Sequence, residues 1–244
     1  MILKCISVLT CAVCFLYTFY VLCNLTYFLS YHKGNEKTTI LENDDSGESA
    51  LWLLILNMSL LSIFIVQHTL MASDFVKHLF CKVYIDYMGR SVYNVASAMA
   101  LHLLLNQWQI IPSISLWKLD TSSNNVLWFI FTAFHVLGWS IIYSGCLMMD
   151  IAELTGLKEI YYKFSSRPSP VAMKSKELLR YYSHMRHPSF TGFIIILWIY
   201  PYMTLDRILL ASILTVYMAL MWTIDKEDCN YHASLIRMKE RELF

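Results

Sequence analysis

Six apolar runs separated by polar segments constrain the fold of this chain more than any other feature. A helix needs about 20 residues to cross a hydrocarbon layer of about 30 Å. The segments that we predict to cross a membrane are residues 6–31, 51–71, 91–111, 126–149, 189–203 and 207–224. The pattern predicts a single all-α polytopic membrane helix bundle with about six transmembrane helices, of which the last two form a hairpin.

Composition agrees with a membrane protein and argues against a nucleic-acid-binding protein. Hydrophobic residues make up 57% of the 244 residues and charged residues 15%, which is too apolar for an ordinary soluble domain. The first run is too long for a signal-peptide core and has no small-residue cleavage pattern, so we interpret it as a retained anchor. The net charge is +1, and no basic run with interleaved aromatic residues is present, so no direct nucleic-acid partner is expected.

The distribution of lysine and arginine predicts the orientation of the chain. With six crossings and a cytosolic or nucleoplasmic N-terminus, 15 of the 19 Lys and Arg residues fall on that side. This bias follows the positive-inside rule. The inner side then carries the basic loop 150–188 and the short tail 225–244, while the acidic polar loop 32–50 lies on the other side. Both termini are predicted to face the cytosol or nucleoplasm, with membrane lipids as partners of the basic loop.

A polar stripe runs along the third predicted crossing and consists of Arg90, Asn94, His102 and Asn106. Spacings in multiples of four place these side chains on one slowly drifting helix face. Two interpretations remain open, because the stripe could hydrogen-bond neighbouring helices or form the wall of a buried polar cavity. Gln67 and His68 end the second run near the predicted interface, where a histidine can be solvated at little cost.

No metal site is predicted from the cysteines. Cys11 and Cys14 form a C-x-x-C pair, but it lies inside a predicted membrane helix and has no second Cys or His pair. Cysteines in apolar spans usually behave as small hydrophobic residues.

A cationic cluster precedes the fifth predicted crossing and consists of His184, Arg186, His187 and Pro188. Pro188 suits the first turn of a helix, where the next backbone N–H groups are unpaired and form an anion site with the helix dipole. Arg186 adds a charge that can bind a carboxylate or phosphate in bidentate fashion. By a count of about 1.5 Å per residue, the return helix of the hairpin brings Glu227 and Asp228 to the same membrane face.

Two interpretations fit this cluster of cations and acids. In one, Arg186 and the histidines anchor the helix end to lipid phosphates. In the other, the cluster binds a zwitterionic cofactor, with a carboxylate at Arg186 and an amine at Glu227 or Asp228, as the amino-acid end of S-adenosylmethionine would require.

The residues from His184 to Gly192 follow the pattern His-x-x-Arg-His-Pro-x-aromatic-x-Gly. This pattern resembles the cofactor motif of the isoprenylcysteine carboxyl methyltransferase superfamily. Further stretches resemble one branch of it, the nurim family of the inner nuclear membrane: Gln67 to Ala72, Arg90 to Tyr93, Asp150 to Glu153, Gly156 to Tyr162 and Ser183 to Pro188.

The resemblance implies a helical membrane bundle whose last two spans form a hairpin over S-adenosylmethionine. It implies cofactor-binding roles for His184, Arg186, His187 and Gly192 in the first half of the motif, and for Glu227 and Asp228 in an altered second half. Phe190 replaces the tyrosine usual in the enzymes. No catalytic residue is identified, because transfer of a methyl group to an anionic acceptor depends on orientation and desolvation more than on a dedicated base.

The resemblance therefore leads to two functional hypotheses. The first is a multi-pass protein of the inner nuclear membrane with a structural or undefined role, no established cofactor, and other nuclear-envelope proteins as partners. The alternative is an S-adenosylmethionine-dependent membrane methyltransferase that acts on a small thiol, carboxylate or lipid-like acceptor.

Overall fold

The computed structural model of the chain describes residues 2–31, 46–121, 123–148, 150–168, 170 and 190–221. The first half contains α1 (Ile2–Ser30), α2 (Ser46–Ala72), α3 (Asp74–Lys82), a 3₁₀ turn (Asp86–Met88), α4 (Gly89–Gln107) and β1 (Ser115–Lys118). The second half contains α5 (Asn125–Met148), α6 (Ile151–Leu154), α7 (Leu157–Phe164), α8 (Phe190–Trp198), β2 (Tyr202–Thr204) and α9 (Leu205–Met221). The described part is mostly helical, as predicted.

Three of the described helices are long and apolar enough to cross a membrane, over Cys5–Ser30, Ala50–Ala72 and Asn125–Leu147. They belong to α1, α2 and α5. Large apolar side chains point outward along all three, among them Leu16, Trp52 and Phe129. Extended exposed apolar surface of this kind marks contact with lipid rather than with water.

The core lies where α1, α2, α4, α5, α8 and α9 meet. Its buried members include Leu29, Leu61, Leu104, Ile142, Ile196 and Leu210. Helix α8 packs closely on α5 through a pair of glycines. A Cβ atom built on Gly138 would lie 3.0 Å from the carbonyl oxygen of Gly192, and one built on Gly192 would lie 2.6 Å from that of Gly138.

One end of the bundle is closed by a short antiparallel ribbon of β1 and β2, in which Ser115 pairs with Thr204 and Lys118 with Tyr202. We call this the ribbon end. It also contains the C-terminal ends of α1 and α4 and the beginning of α9, as the contacts of Asp206 and Arg207 establish.

Asp206 and Arg207 are buried and connect three helices at the ribbon end. The carboxyl oxygens of Asp206 accept hydrogen bonds from Trp108 Nε1 and from the backbone N–H of Ile111, each at 3.0 Å. The Arg207 guanidinium donates to the carbonyl oxygens of Phe28 and Leu29, in the last turn of α1. A cation at a helix C-terminus also interacts favourably with the helix dipole.

Helices α4 and α8 end earlier than the predicted crossings 91–111 and 189–203. Helix α4 ends at Gln107 because Trp108 turns into an extended conformation, with φ −60° and ψ 128°, from which its indole reaches Asp206. Helix α8 ends at Trp198, three residues before Pro201. A proline disfavours helical geometry in the residue before it, so the chain leaves α8 and forms β2 instead.

The opposite end of the bundle carries α6 and α7, and we call it the α7 end. There Ser91, in the first turn of α4, donates a hydrogen bond to the carbonyl oxygen of Thr155 at 3.0 Å and contacts Cys11 Sγ of α1 at 3.3 Å. Helices α1 and α4 therefore run side by side from one end of the bundle to the other.

Candidate functional site

Most of the predicted cofactor-binding residues lie outside the described residues: His184, Arg186, His187, Glu227 and Asp228. Gly192 is described, and it is buried against α5. Its close approach to Gly138 explains by packing alone why this position needs a glycine. Its role in cofactor binding stays a prediction.

The structure brings together three of the stretches on which the family resemblance rests. Gly156 lies directly against the first turn of α4, where an added Cβ atom would be 2.7 Å from Ser91 Oγ and 3.1 Å from the Ser91 backbone nitrogen. Asn94, one helical turn further, donates a hydrogen bond of 2.6 Å to the carbonyl oxygen of Leu154. We call this contact between α4 and the α6–α7 segment the Gly156 junction.

Backbone geometry at the Gly156 junction is specialised. Gly156 has a φ of +85° and precedes α7. Asp150 has a φ of +61°, and its side chain accepts a hydrogen bond from the backbone N–H of Ala152 at 3.0 Å, which caps α6. A positive φ costs a non-glycine residue about 1–2 kcal/mol, so the capping bond offsets strain at Asp150.

Charged side chains surround the Gly156 junction. Lys158 Nζ lies 2.8 Å from Asp150 Oδ2 and 4.0 Å from Glu153 Oε2. The hydrogen bond from Lys158 lowers the pKa of the Asp150 carboxyl group and raises that of the Lys158 ammonium group. Glu153 is buried, and the Lys158 ammonium is a cation close to it.

A second ion pair joins α4 to α7 across the same junction. Arg90 Nε lies 3.8 Å from Glu159 Oε1. Burial raises the pKa of the Glu159 carboxyl group, and the nearby Arg90 charge opposes that rise. Because the two pairs connect α4, α6 and α7 to each other, they hold the α6–α7 segment in place. In the described part of the junction, no serine, threonine or cysteine side chain lies within hydrogen-bond distance of a side chain that could act as its base.

We expect Gly156→Ala to detach the α6–α7 segment from α4. The added methyl group meets the backbone of Ser91, and alanine at φ +85° costs about 1–2 kcal/mol in addition. The expected result is faster proteolysis near residues 150–168 and a lower thermal midpoint in nanodiscs. Ala152→Gly, in the neighbouring helix α6, is a matched control without a steric clash. An unchanged cleavage pattern in Gly156→Ala would contradict a tight junction.

His68 lies in a polar contact between α2 and α4, near the α7 end, and its ring also faces Tyr217 of α9. Tyr93 Oη is within 2.9 Å of His68 Nε2, and Ser97 Oγ is 3.3 Å from His68 Nδ1. His68 is thus half-buried and paired, not solvated as its place at the end of the second run suggested. Both polar atoms of the neighbouring Gln67 carboxamide are buried without a hydrogen-bond partner among the described residues.

The polar stripe of α4 is used mostly for contacts with neighbouring elements. Asn94 binds Leu154, and His102 Nδ1 lies 2.9 Å from Tyr17 Oη of α1. Arg90 pairs with Glu159, whereas Asn106 is exposed. These contacts fit the first of the two interpretations, hydrogen bonding within the bundle.

The described residues contain no group of three or more His, Cys, Asp or Glu side chains that could hold a metal ion. Cys11 is buried, but it makes polar contacts there: its Sγ donates a hydrogen bond to the carbonyl oxygen of Thr155 at 3.5 Å and accepts one from Ser91 Oγ at 3.3 Å. The Gly156 junction itself was not predicted from the residues. The signal in the sequence was Gly156 with a glutamate three residues before it and another three residues after it. Nothing local connects this glycine to Ser91, 65 positions earlier.

Comparison with known proteins identifies the family. The chain is 39% identical over 245 residues to a nurim homolog of Drosophila pseudoobscura pseudoobscura, with 98% of this chain and 97% of that protein covered. The nurim homolog of Drosophila melanogaster is 34% identical over 247 residues, with 99% and 98% covered. Human nurim is 36% identical over 194 residues, with 78% of this chain and 73% of that protein covered.

No protein-family model matches the chain. No solved structure matches it either. Sequence identity to these relatives over nearly the whole length, together with three described helices able to cross a membrane, is sufficient to assign the chain to a family. The chain belongs to the nurim family and is a multi-pass membrane protein of that family.

Proposed function

We propose that this chain is a structural protein of the inner nuclear membrane, with six crossings and both termini on the nucleoplasmic or cytosolic side. The observation that carries a structural role is the use of the buried and half-buried polar groups. Three buried residues, Asn57, His135 and Asp206, and two half-buried ones, Asn94 and His102, each hydrogen-bond another element. Polar side chains that are paired in this way stabilise the described part of the bundle and are not available there to bind a substrate.

Six crossings are supported by the helices that accompany the spans of α1 and α2. Helix α4 meets α1 at the α7 end through Ser91 and Cys11. Helix α9 meets α1 at the ribbon end through Arg207, and it meets α2 near the α7 end, where Tyr217 Oη lies 3.2 Å from Thr69 Oγ1. A helix that runs beside a membrane span along its whole length lies in the same hydrocarbon layer, where its backbone hydrogen bonds are satisfied internally.

The proposed orientation rests on charge. Basic residues of the α6–α7 segment, including Lys158, Lys163 and Arg167, belong to the α7 end. The positive-inside rule assigns such an end to the cytosolic or nucleoplasmic side. A glycosylation sequon inserted into the loop 32–45 should then be modified, and one appended after Phe244 should not. Modification of the appended site would overturn the orientation.

Residence in the inner nuclear membrane can be tested by extraction. A tagged copy should remain at the nuclear rim after treatment with non-ionic detergent and high salt. A polytopic protein of the endoplasmic reticulum with the same tag is the control, since it should be extracted. A diffuse reticular signal for the tagged chain would contradict residence.

Methyl transfer from S-adenosylmethionine is the second candidate function, and the directions of α8 and α9 favour it. Ile199 contacts His135 of α5, whereas Gly192 approaches Gly138 and Ile142, so α8 begins toward the α7 end. Helix α9 begins at the ribbon end and therefore finishes toward the α7 end. Trp198 Nε1 donates to Thr215 Oγ1 at 3.0 Å, which joins the two helices.

This arrangement supports a meeting of the two predicted halves of the cofactor motif. The chain before Phe190 carries His184, Arg186 and His187, and the chain after Met221 carries Glu227 and Asp228. The donor set suits a zwitterion, because a guanidinium pairs with a carboxylate and a carboxylate with an amine. S-adenosylmethionine would supply an activated methyl group to such a site.

Calorimetry distinguishes the two candidates. If the methyltransferase hypothesis is correct, the purified chain should give a saturable heat of binding with S-adenosylmethionine, and Arg186→Ala should abolish it. Arg167→Ala is the matched control, because Arg167 stacks on Tyr161 and Tyr162 of α7. Absence of a saturable heat would exclude the enzyme, and unchanged binding by Arg186→Ala would overturn the site.

A further inference from the structure

Helix α3 presents three different faces to its surroundings. Successive residues of a helix are rotated by about 100°, so positions four apart share a face. Val76 is buried on the bundle side, and the half-buried Phe80 lies on the same side, with its ring 3.3 Å from the position of a Cβ atom on Gly89. Asp74 and Lys77 form an exposed ion pair at 2.8 Å on the opposite, polar side.

The third face of α3 is apolar and uncovered. Phe75 is 73% exposed, Leu79 49% and Val83, the C-cap residue, 58%. Their spacing of four residues makes one continuous stripe, about a quarter turn away from the buried side. Tyr84 follows the stripe in the chain; it is 84% exposed and has a φ of +60° that is unfavourable for a tyrosine.

The position of α3 in the chain identifies what covers this stripe. The membrane-spanning segment of α2 ends at Ala72, and Ser73 is the one residue between it and α3. A helix that begins at the edge of a span and is apolar on one side and charged on another has the properties of an interfacial helix. Lys82 borders the stripe, where its aliphatic stem can lie on the apolar layer while the ammonium reaches the phosphates.

We propose that α3 lies in the headgroup layer of the membrane, with Phe75, Leu79 and Val83 inserted among the acyl chains. Its partner is therefore a lipid leaflet. This inference rests on the multi-pass membrane character of the chain. The particular leaflet follows from the proposed orientation, but insertion itself does not depend on it.

The insertion fixes the end of α2 and the beginning of α4 at one depth. Ser73 on one side, and the 3₁₀ turn before Gly89 on the other, connect α3 to these helices. The Gly156 junction is built on the first turn of α4. An anchored α3 thus holds the α4 side of that junction at the membrane surface.

Fluorescence quenching at single sites tests the proposal on the full chain in phospholipid vesicles. An environment-sensitive fluorophore is attached to one cysteine at a time, at position 75, 78, 79 or 81, in a background in which the other reactive cysteines are serine. Lipids with a doxyl group near the headgroup should quench positions 75 and 79 several-fold more strongly than positions 78 and 81. Iodide in the aqueous phase should show the reverse order.

His78 and the native Cys81 are the matched controls, because both are exposed and lie on the polar side of the same helix. Phe75→Cys and Leu79→Cys are labelled separately, so that if one variant misfolds the other still tests the proposal. Equal doxyl quenching at positions 78 and 79 would overturn the proposal. The proposal would also be overturned if position 79 is protected from iodide and this protection is lost when the protein is diluted into excess lipid. That result would indicate contact with a second copy of the chain.

Discussion

Gly192→Ala is expected to force α5 and α8 apart and to lower the free energy of unfolding by about 1–3 kcal/mol, as overpacking of a close-packed interior does. The added Cβ atom would lie 2.6 Å from the Gly138 carbonyl oxygen and 2.7 Å from Ile142 Cγ1. A backbone oxygen cannot rotate away as a side chain can, so the helix axes must separate. Thermal unfolding in nanodiscs should show the loss, at about 2–4 °C for each kcal/mol.

The matched control for Gly192→Ala is Ala133→Val, which adds bulk to an exposed face of α5, the helix on which α8 packs. Its thermal midpoint should stay near that of the unchanged chain. Gly138→Ala should also destabilise, because its Cβ would lie 2.7 Å from Ile196 Cγ1. The double variant should lose less than the sum of the single losses, since helices already separated by one methyl group accommodate the second. Strict additivity would contradict a shared contact.

This experiment also bears on the predicted cofactor motif, of which Gly192 is a member. If Gly192 serves packing alone, its replacement lowers stability whether or not S-adenosylmethionine is added. If it also lies against a ligand, the variant loses ligand-induced stabilisation in addition to its own stability. Thermal unfolding with and without S-adenosylmethionine separates these two roles.

The membrane character and helical class of the chain could be predicted from hydropathy alone. Helices α1, α2 and α5 cover long apolar runs, in which the backbone has no alternative partner for its hydrogen bonds. The end of α4 could not be predicted from any local pattern. The turn at Trp108 depends on a hydrogen bond to Asp206, nearly 100 residues later, and no local pattern contains that information.

The same limit applies to the candidate site. The positive φ of Gly156 is compatible with a simple turn, whereas its contact with Ser91 requires the tertiary fold. His68 was assigned to the solvated interface because its position in the run was known but its neighbours were not. Tyr93 and Ser97, on α4, make it part of the bundle. The residue type and its position in the run predict that His68 makes polar contacts. Which residues it contacts depends on how the helices pack.

Asp206→Ala is expected to destabilise the ribbon end more than any exposed substitution there. Two buried donors, Trp108 Nε1 and the backbone N–H of Ile111, bind the carboxyl group at 3.0 Å each. Each buried donor left without a partner costs about 1–3 kcal/mol. Trp108 and Ile111 should then lose their fixed positions, which a lower thermal midpoint and increased hydrogen exchange of residues 108–119 would report. Asp120→Ala, at an exposed aspartate beyond β1, is the matched control.

Asp206→Asn distinguishes hydrogen bonding from charge. The asparagine side-chain oxygen can accept a hydrogen bond from one of the two donors, while the amide NH₂ group faces the other donor. The stability of this variant should therefore fall between those of the aspartate and alanine forms. Asp206 also lies in the first turn of α9, where a negative charge gains about 0.3–1 kcal/mol from the helix dipole. Both variants lose that gain, but Asp206→Asn leaves one donor unpaired where Asp206→Ala leaves two, so Asp206→Asn should lose less stability than Asp206→Ala. Equal losses in both variants would show that charge, and not the pair of hydrogen bonds, holds the end of α4 against α9.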